Sequence, residues 1–191
     1  MQKFQADELR RFLAAVDRHL SGPFELLVIG GSAAALAYGA SRATRDIDTW
    51  DPYYTRIRSA LEAARKETGL NIPLEHPGVQ DGPHDLEDRF RVVEIPGLRK
   101  LVVKVPEKHD LVLMKTLRGE EPDLQAAEDI KASQGLDFDI LLTRYVEEMK
   151  HCVGEPRRLD LNFFVLVERL YGERELEVAK KRVERMRGKR A

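Results

Sequence analysis

Apolar residues recur along this chain with two different periods, and the change of period divides it in two. Residues 6–20 carry Leu9, Phe12, Leu13, Val16 and Leu20 at helical spacing, which predicts an amphipathic helix stopped by Ser21-Gly22-Pro23. Leu26, Leu27, Val28 and Ile29 form a continuous apolar run, the pattern of a strand buried on both faces. Gly30-Gly31-Ser32 then reads as a turn, residues 33–38 as a short helix closed by Gly39, and Asp46-Ile47-Asp48 as part of a second strand. Asp51-Pro52 marks a helix start, as N-cap and first helical position, for a helix over residues 56–68 that Gly69 ends. Residues 70–88 are rich in Pro, Gly, His and Asp and read mainly as loop, with room for a short strand over 70–72. Residues 90–95 and 100–105 read as two strands of a hairpin around Pro96-Gly97-Leu98-Arg99. After Pro106 the period is helical throughout, predicting helices over 106–118, 122–133, 138–150, 157–171 and 173–188.

These elements predict an α/β (α+β) fold. A small mixed sheet with flanking helices occupies residues 1–106, and a helical C-terminal region occupies 107–191. Composition narrows the class. With 34% charged and 42% hydrophobic residues in 191, the chain is globular rather than disordered. The net charge of −1 carries no signal for nucleic acid, but its distribution is uneven. Between Lys180 and Arg190 there are seven basic residues and one acidic. This tail reads either as an RNA-phosphate contact or as a solvated helix end whose charges suit the helix dipole. The single Cys152 excludes an intrachain disulfide framework and a multi-cysteine zinc site. The first residues are charged throughout, which is not a signal peptide, and the longest uncharged run, 26–41, is too short to cross a membrane. The expected location is the cytoplasm.

Candidate chemistry gathers around residues 26–48. Asp46 and Asp48 stand two apart on a predicted strand, so both carboxylates point to one face. Two adjacent carboxylates repel each other unless a cation lies between them, and Mg²⁺ (or Mn²⁺) takes carboxylate and phosphate oxygens in this way. Gly30, Gly31 and Ser32 begin a helix whose N-terminal N–H groups suit an anion. Together they suit a metal–triphosphate ligand. The competing reading is a strand face whose acids pair with Arg42 or Arg45, beside glycines needed only for a tight turn. The turn is neither a P-loop, since no Lys-Ser/Thr follows, nor a dinucleotide fingerprint, since the third glycine is missing. His76 and His84 lie near Asp81 and Asp85 at spacings that fit no metal cluster, so they read as surface loop. Cys152 has no matching Cys/His arrangement. Trp50 and Tyr53-Tyr54 suit either base stacking or core packing.

Gly-Gly-Ser, a short helix, then Arg42-x-Thr44-x-Asp46-Ile47-Asp48 resembles the nucleotidyltransferase superfamily with the DNA polymerase β-like core. The Arg and Thr before the acids are similar to the AbiEii toxin-like branch and its bacterial relatives. His109-Asp110-Leu111-Val112-Leu113-Met114-Lys115 is similar to that branch's Asp-Leu-x-x-x-Lys helix, and Glu128-Asp129-Ile130 to the Glu-Asp-Ile that follows it. The likeness covers roughly residues 24–133. It implies that Gly30, Gly31 and Ser32, with Arg42, Thr44 and Arg118, bind an NTP, and that Asp46 and Asp48 hold Mg²⁺. It implies a catalytic or phosphate-contacting Lys115 and an Asp129 that orients that lysine or the acceptor. It also implies transfer of an NMP to an acceptor such as tRNA or other RNA, reached through the tail 180–190, in a toxin-like role with a cognate antitoxin protein. The superfamily's third carboxylate has Glu94 as first candidate and Asp88 as second, and Ala126 stands where relatives carry a further acid. Loss of that third acid would leave a non-catalytic nucleotide-binding or regulatory protein on a degenerate core, which is the alternative.

Overall fold

The computed structural model describes residues 2–78 and 81–188. Two compact units divide the chain: Met1–Gln80 with Arg89–Pro106, and Asp81–Asp88 with Glu107–Ala191.

The first unit holds a five-stranded mixed sheet and three α-helices. Its elements are α1 (Ala6–His19), β1 (Phe24–Ile29), α2 (Gly30–Tyr38), β2 (Ile47–Thr49), α3 (Arg58–Thr68), β3 (Leu74–Glu75), β4 (Arg91–Val92) and β5 (Leu101–Val105). The strand order is β3-β2-β1-β5-β4. Strand β1 runs parallel to β5 and antiparallel to β2, β3 is parallel to β2, and β4 is antiparallel to β5. The alternation in β5 explains the layering. Leu101, Val103 and Val105 are buried, while Val102 and Lys104 point to the opposite face. Register sets Leu26 beside Val103, so the apolar side chains of both strands meet α1 and its neighbours on one side. Leu9, Phe12, Leu13 and Val16 of α1 are fully buried there, each contributing about 1.5–3 kcal/mol over exposure. On the other face Lys104 and Glu25 pair at 2.6 Å. Strand β1 is therefore two-faced at its start and buried on both sides only at Val28 and Ile29, next to α2. The expectation of burial along its whole length holds for that end alone.

Asp17 ties α1 to the sheet. Its Oδ1 accepts hydrogen bonds from the backbone N–H groups of Arg99, Lys100 and Leu101 at 2.9, 2.7 and 2.7 Å. Burial raises its pKa, but the three amides outweigh that, and the carboxyl lies below its ordinary range. Asp51 caps the turn before α3 as expected, accepting from Tyr53 N–H at 2.6 Å, although this first stretch, Pro52–Ile57, is 3₁₀-helical. Among the boundaries that differ from the sequence reading, three have a visible cause. Helix α2 starts at Gly30, three residues earlier than predicted, because glycine itself opens its first turn. The short strand after α3 lies at Leu74–Glu75 and not over 70–72, since pairing with Ile47 and Asp48 selects those residues. The hairpin's first strand is trimmed to Arg91–Val92, with one more rung where Val93 N–H meets Val103 O at 2.8 Å.

The second unit contains α4 (Lys108–Thr116), α5 (Glu121–Gln134), α6 (Phe138–Glu148), α7 (Pro156–Tyr171) and α8 (Glu173–Gly188). Pro122 and Pro156 occupy first turns, and Asp137 caps α6 through Ile140 N–H at 3.0 Å. Tyr145 stacks on Phe163 with ring centroids 3.8 Å apart. A buried ionic cluster lies at the start of α4. Arg144 bonds Glu107 at 2.5 Å and Asp110 at 2.8 Å. His109 Nδ1 meets Glu107 at 2.9 Å, while its Nε2 accepts from Asp137 N–H at 2.9 Å, which leaves the proton on Nδ1. Among the described residues, no helix is long and apolar enough to cross a membrane.

Candidate functional site

The sheet unit brings a glycine pair and a carboxylate pair together. Strand β1 ends at Ile29, and the chain enters α2 through Gly30 at φ +69°, a left-handed conformation that a side chain disfavours. A Cβ on Gly30 would stand 2.6 Å from Asp48 Oδ2. A Cβ on Gly31 would stand 3.2 Å from Thr44 Oγ1. The two glycines thus lie directly against the acid and the hydroxyl of the second motif. The register explains it: β2 runs antiparallel to β1 with Asp48 opposite Ile29, the last residue of β1. Ile47 and Thr49 are buried and Asp48 is half-buried, which is the alternation expected of a strand with one acid facing outward. Asp46 is also half-buried but precedes the strand, in the bend after Thr44. Thr44 positions it, with its hydroxyl 3.2 Å from the Asp46 carbonyl and 3.4 Å from Oδ1. Thr44 is itself held by a backbone pair with Phe4, at 2.7 and 3.0 Å.

No side chain caps α2, and its first turn contains no acid. Its N–H groups carry a partial positive charge beside the carboxylates. An anion and a cation can therefore be held side by side. The donor set suits a hard divalent ion, being two half-buried carboxylates beside a space that only glycine leaves open. Ser32 is 1% exposed and its hydroxyl donates to Ile29 O at 3.0 Å, so what it can offer a phosphate is its backbone N–H. Arg42 is exposed on the segment before Thr44.

Glu94 is not brought to this pair. In the β4–β5 register it falls level with Val102 and Glu25, whereas Asp48 is level with Ile29, four residues along β1 and three strands over. At ~3.3 Å per residue and ~4.8 Å per strand that is a separation on the order of 20 Å. Among the described residues, no third His, Cys, Asp or Glu joins Asp46 and Asp48 with all ligand atoms within 4.8 Å of one another. Asp88 belongs to the helical unit.

In the helical unit, Lys115 and Arg118 converge on one carboxylate that the sequence reading passed over. Arg118 grips Asp123 with two bonds of 2.7 Å, and Lys115 lies 3.4 Å from it. Asp123 is 2% exposed. Burial raises its pKa, but Arg118 and Lys115 prevail and hold it below the ordinary range. Asp129 lies on α5 and accepts from Gln125 at 3.2 Å. Asp123 was legible only as a first-turn acid, because its pairing depends on how the chain turns between α4 and α5. Much of the basic tail is engaged within its unit. Arg187 bonds Asp160 at 2.9 Å, Lys180 bonds Glu177 at 2.9 Å, and Arg182 lies 3.6 Å from Glu147. Lys189 and Arg190 lie outside the described residues. Tyr53 is exposed with Arg56 stacked over its ring at 4.5 Å, whereas Trp50 lies against Phe90, with ring centroids 6.5 Å apart.

A family model described as a nucleotidyltransferase of unknown function (DUF6036) matches residues 7–177, a span that includes both motifs. Among curated proteins and among solved structures, nothing matches the chain.

Proposed function

The chain belongs to this nucleotidyltransferase family, and on that premise we propose that its sheet unit binds a nucleoside triphosphate with a divalent cation and transfers the nucleotidyl group to an acceptor. The observation that carries the reading is the seating of Gly30 against Asp48 and of Gly31 against Thr44. The backbone N–H groups that open α2 donate to phosphate oxygens. Asp46 and Asp48 hold Mg²⁺ or Mn²⁺, and Thr44 keeps Asp46 in place through its hydroxyl. When bound, the cation neutralises charge on the phosphates. Arg42 meets the nucleotide from the exposed segment before the acids. On resemblance alone, Lys115 contacts phosphate and Asp129 orients it or the acceptor. On the same ground the acceptor is tRNA or another RNA, and the role is toxin-like with a protein antitoxin.

A second reading is favoured by one observation: among the described residues, no third acid joins Asp46 and Asp48 with all ligand atoms within 4.8 Å of one another. On that reading the site binds nucleotide and metal without turnover. One assay separates the two. The protein is incubated with Mg²⁺ and each α-labelled NTP, with and without total tRNA, beside Asp46→Ala/Asp48→Ala and Lys115→Ala variants. Label transfer that the double variant abolishes supports the enzyme. Nucleotide binding with no transfer supports the second reading, and transfer that persists in the double variant overturns the site.

A further inference from the structure

The loop of residues 81–88 folds with the helical unit, and it carries chemistry that the nucleotidyl site does not use. Asp81 comes together with two residues about seventy positions later, His151 and Cys152, and their ligand atoms all lie within 4.8 Å of one another. Helix α6 ends in a 3₁₀ turn, Met149–His151, and Cys152 follows as its cap. His84 N–H bonds Glu148 O at 3.2 Å, so the loop is fastened to the end of the same helix. We propose that Asp81, His151 and Cys152 form a binding site for a zinc-class divalent cation, which clamps this loop to the C-terminal end of α6.

The geometry is close to what such an ion requires. Tetrahedral Zn²⁺ with ligand bonds near 2.0–2.3 Å sets its donor atoms roughly 3.3–3.8 Å apart. His151 Nε2 already lies 3.5 Å from Asp81 Oδ1. Asp81 is held in place from both oxygens, by Gly82 N–H at 3.0 Å and by Val153 N–H at 2.6 Å. Cys152 Sγ donates to Gly82 O at 3.5 Å and lies 3.7 Å from Met149 Sδ, weak contacts that a metal bond would replace. The imidazole of His151 is half-exposed, which leaves an entry path. His84 stands edge-on to it, with ring centroids 5.8 Å apart, and bonds Asp85 through Nδ1 at 2.7 Å. Donor chemistry selects the ion: one oxygen, one imidazole nitrogen and one sulfur suit Zn²⁺, whereas Mg²⁺ and Ca²⁺ take oxygen donors. The site differs in both residues and preferred ion from the Asp46/Asp48 pair, and it does not depend on the proposed transferase activity.

The experiment uses the full chain carrying Asp46→Ala/Asp48→Ala, so that metal at the carboxylate pair does not contribute. Protein stripped with a chelator is titrated with Zn²⁺ and, separately, with Co²⁺. The expected result is uptake of one ion per chain, a rise in Tm, and a Co²⁺ spectrum with thiolate charge-transfer absorption and strong tetrahedral ligand-field bands. Cys152→Ser, a near-isosteric change at a half-buried position, removes the charge-transfer band, and it and His151→Ala each weaken Zn²⁺ binding at least about tenfold. Circular dichroism checks that both variants fold. The proposal is overturned if the stripped protein takes up no stoichiometric Zn²⁺, or if Cys152→Ser and His151→Ala bind it as tightly as the parent.

Discussion

At the scale of single residues, the site depends on what is absent from Gly30. Its φ of +69° and the 2.6 Å approach of Asp48 Oδ2 to the position of a Cβ make alanine costly there in two ways. The left-handed backbone costs roughly 1–2 kcal/mol for an L-residue. The methyl group would also push the Asp48 carboxylate off its position. Gly30→Ala is expected to abolish Mn²⁺ binding, read by electron paramagnetic resonance, while leaving the protein folded. Gly22→Ala is the control, since a Cβ there meets nothing within 4 Å. Equal Mn²⁺ affinity in both variants would show that the glycine seat has no part in the site. The role of Gly30 was legible from its type and place at a strand–helix junction. That its partner is Asp48 follows only from the β1–β2 register.

At the scale of elements, the ends are set by capping and the packing by a few polar ties. Asp17 connects α1 to the start of β5 with three backbone N–H groups. Asp17→Ala leaves one buried and two part-buried donors without their acceptor, at a cost on the order of 3 kcal/mol. A fall in Tm of several degrees is expected, and a change of under one degree would refute the assignment. The helical spacing of α1 was plain in the apolar pattern, but the role of Asp17 was not, since the N–H donors it accepts from lie more than eighty residues away. The same limit explains Asp123, whose partners Lys115 and Arg118 belong to the previous helix and its exit.

At the scale of the whole molecule, buried charge predicts a response to acid. Burial raises the Glu107 carboxyl, but the His109 bond and Arg144 outweigh it, and the pKa falls from 4.5 to about 2. Below pH ~4.5 the unfolded chain protonates this group while the folded chain does not. Its contribution to stability is therefore complete above that pH and is lost as pH falls toward 2. Glu107→Gln is expected to lower stability at pH 7, because Arg144 loses one of its acid partners, and to flatten the decline between pH 4.5 and 2. Urea midpoints at pH 7, 4 and 3 measure both effects. An equal slope in variant and parent would remove Glu107 as a source of acid sensitivity.

Local physics determined much from the sequence alone. Period, turn residues and caps established a mixed sheet followed by helices, because each depends on neighbours within a few positions. The resemblance of Arg42-x-Thr44-x-Asp46-Ile47-Asp48 to the nucleotidyltransferase superfamily was also readable in the sequence, and the family match over residues 7–177 agrees with it. The tertiary structure decided everything that depends on contacts far apart in sequence. Strand register set Gly30 against Asp48 and left Glu94 remote, since one residue's position on a strand settles its level across the sheet. Chain reversal put Asp123 on Lys115. Packing of the loop on α6 joined Asp81 to His151 and Cys152, residues about seventy positions apart that no sequence spacing links.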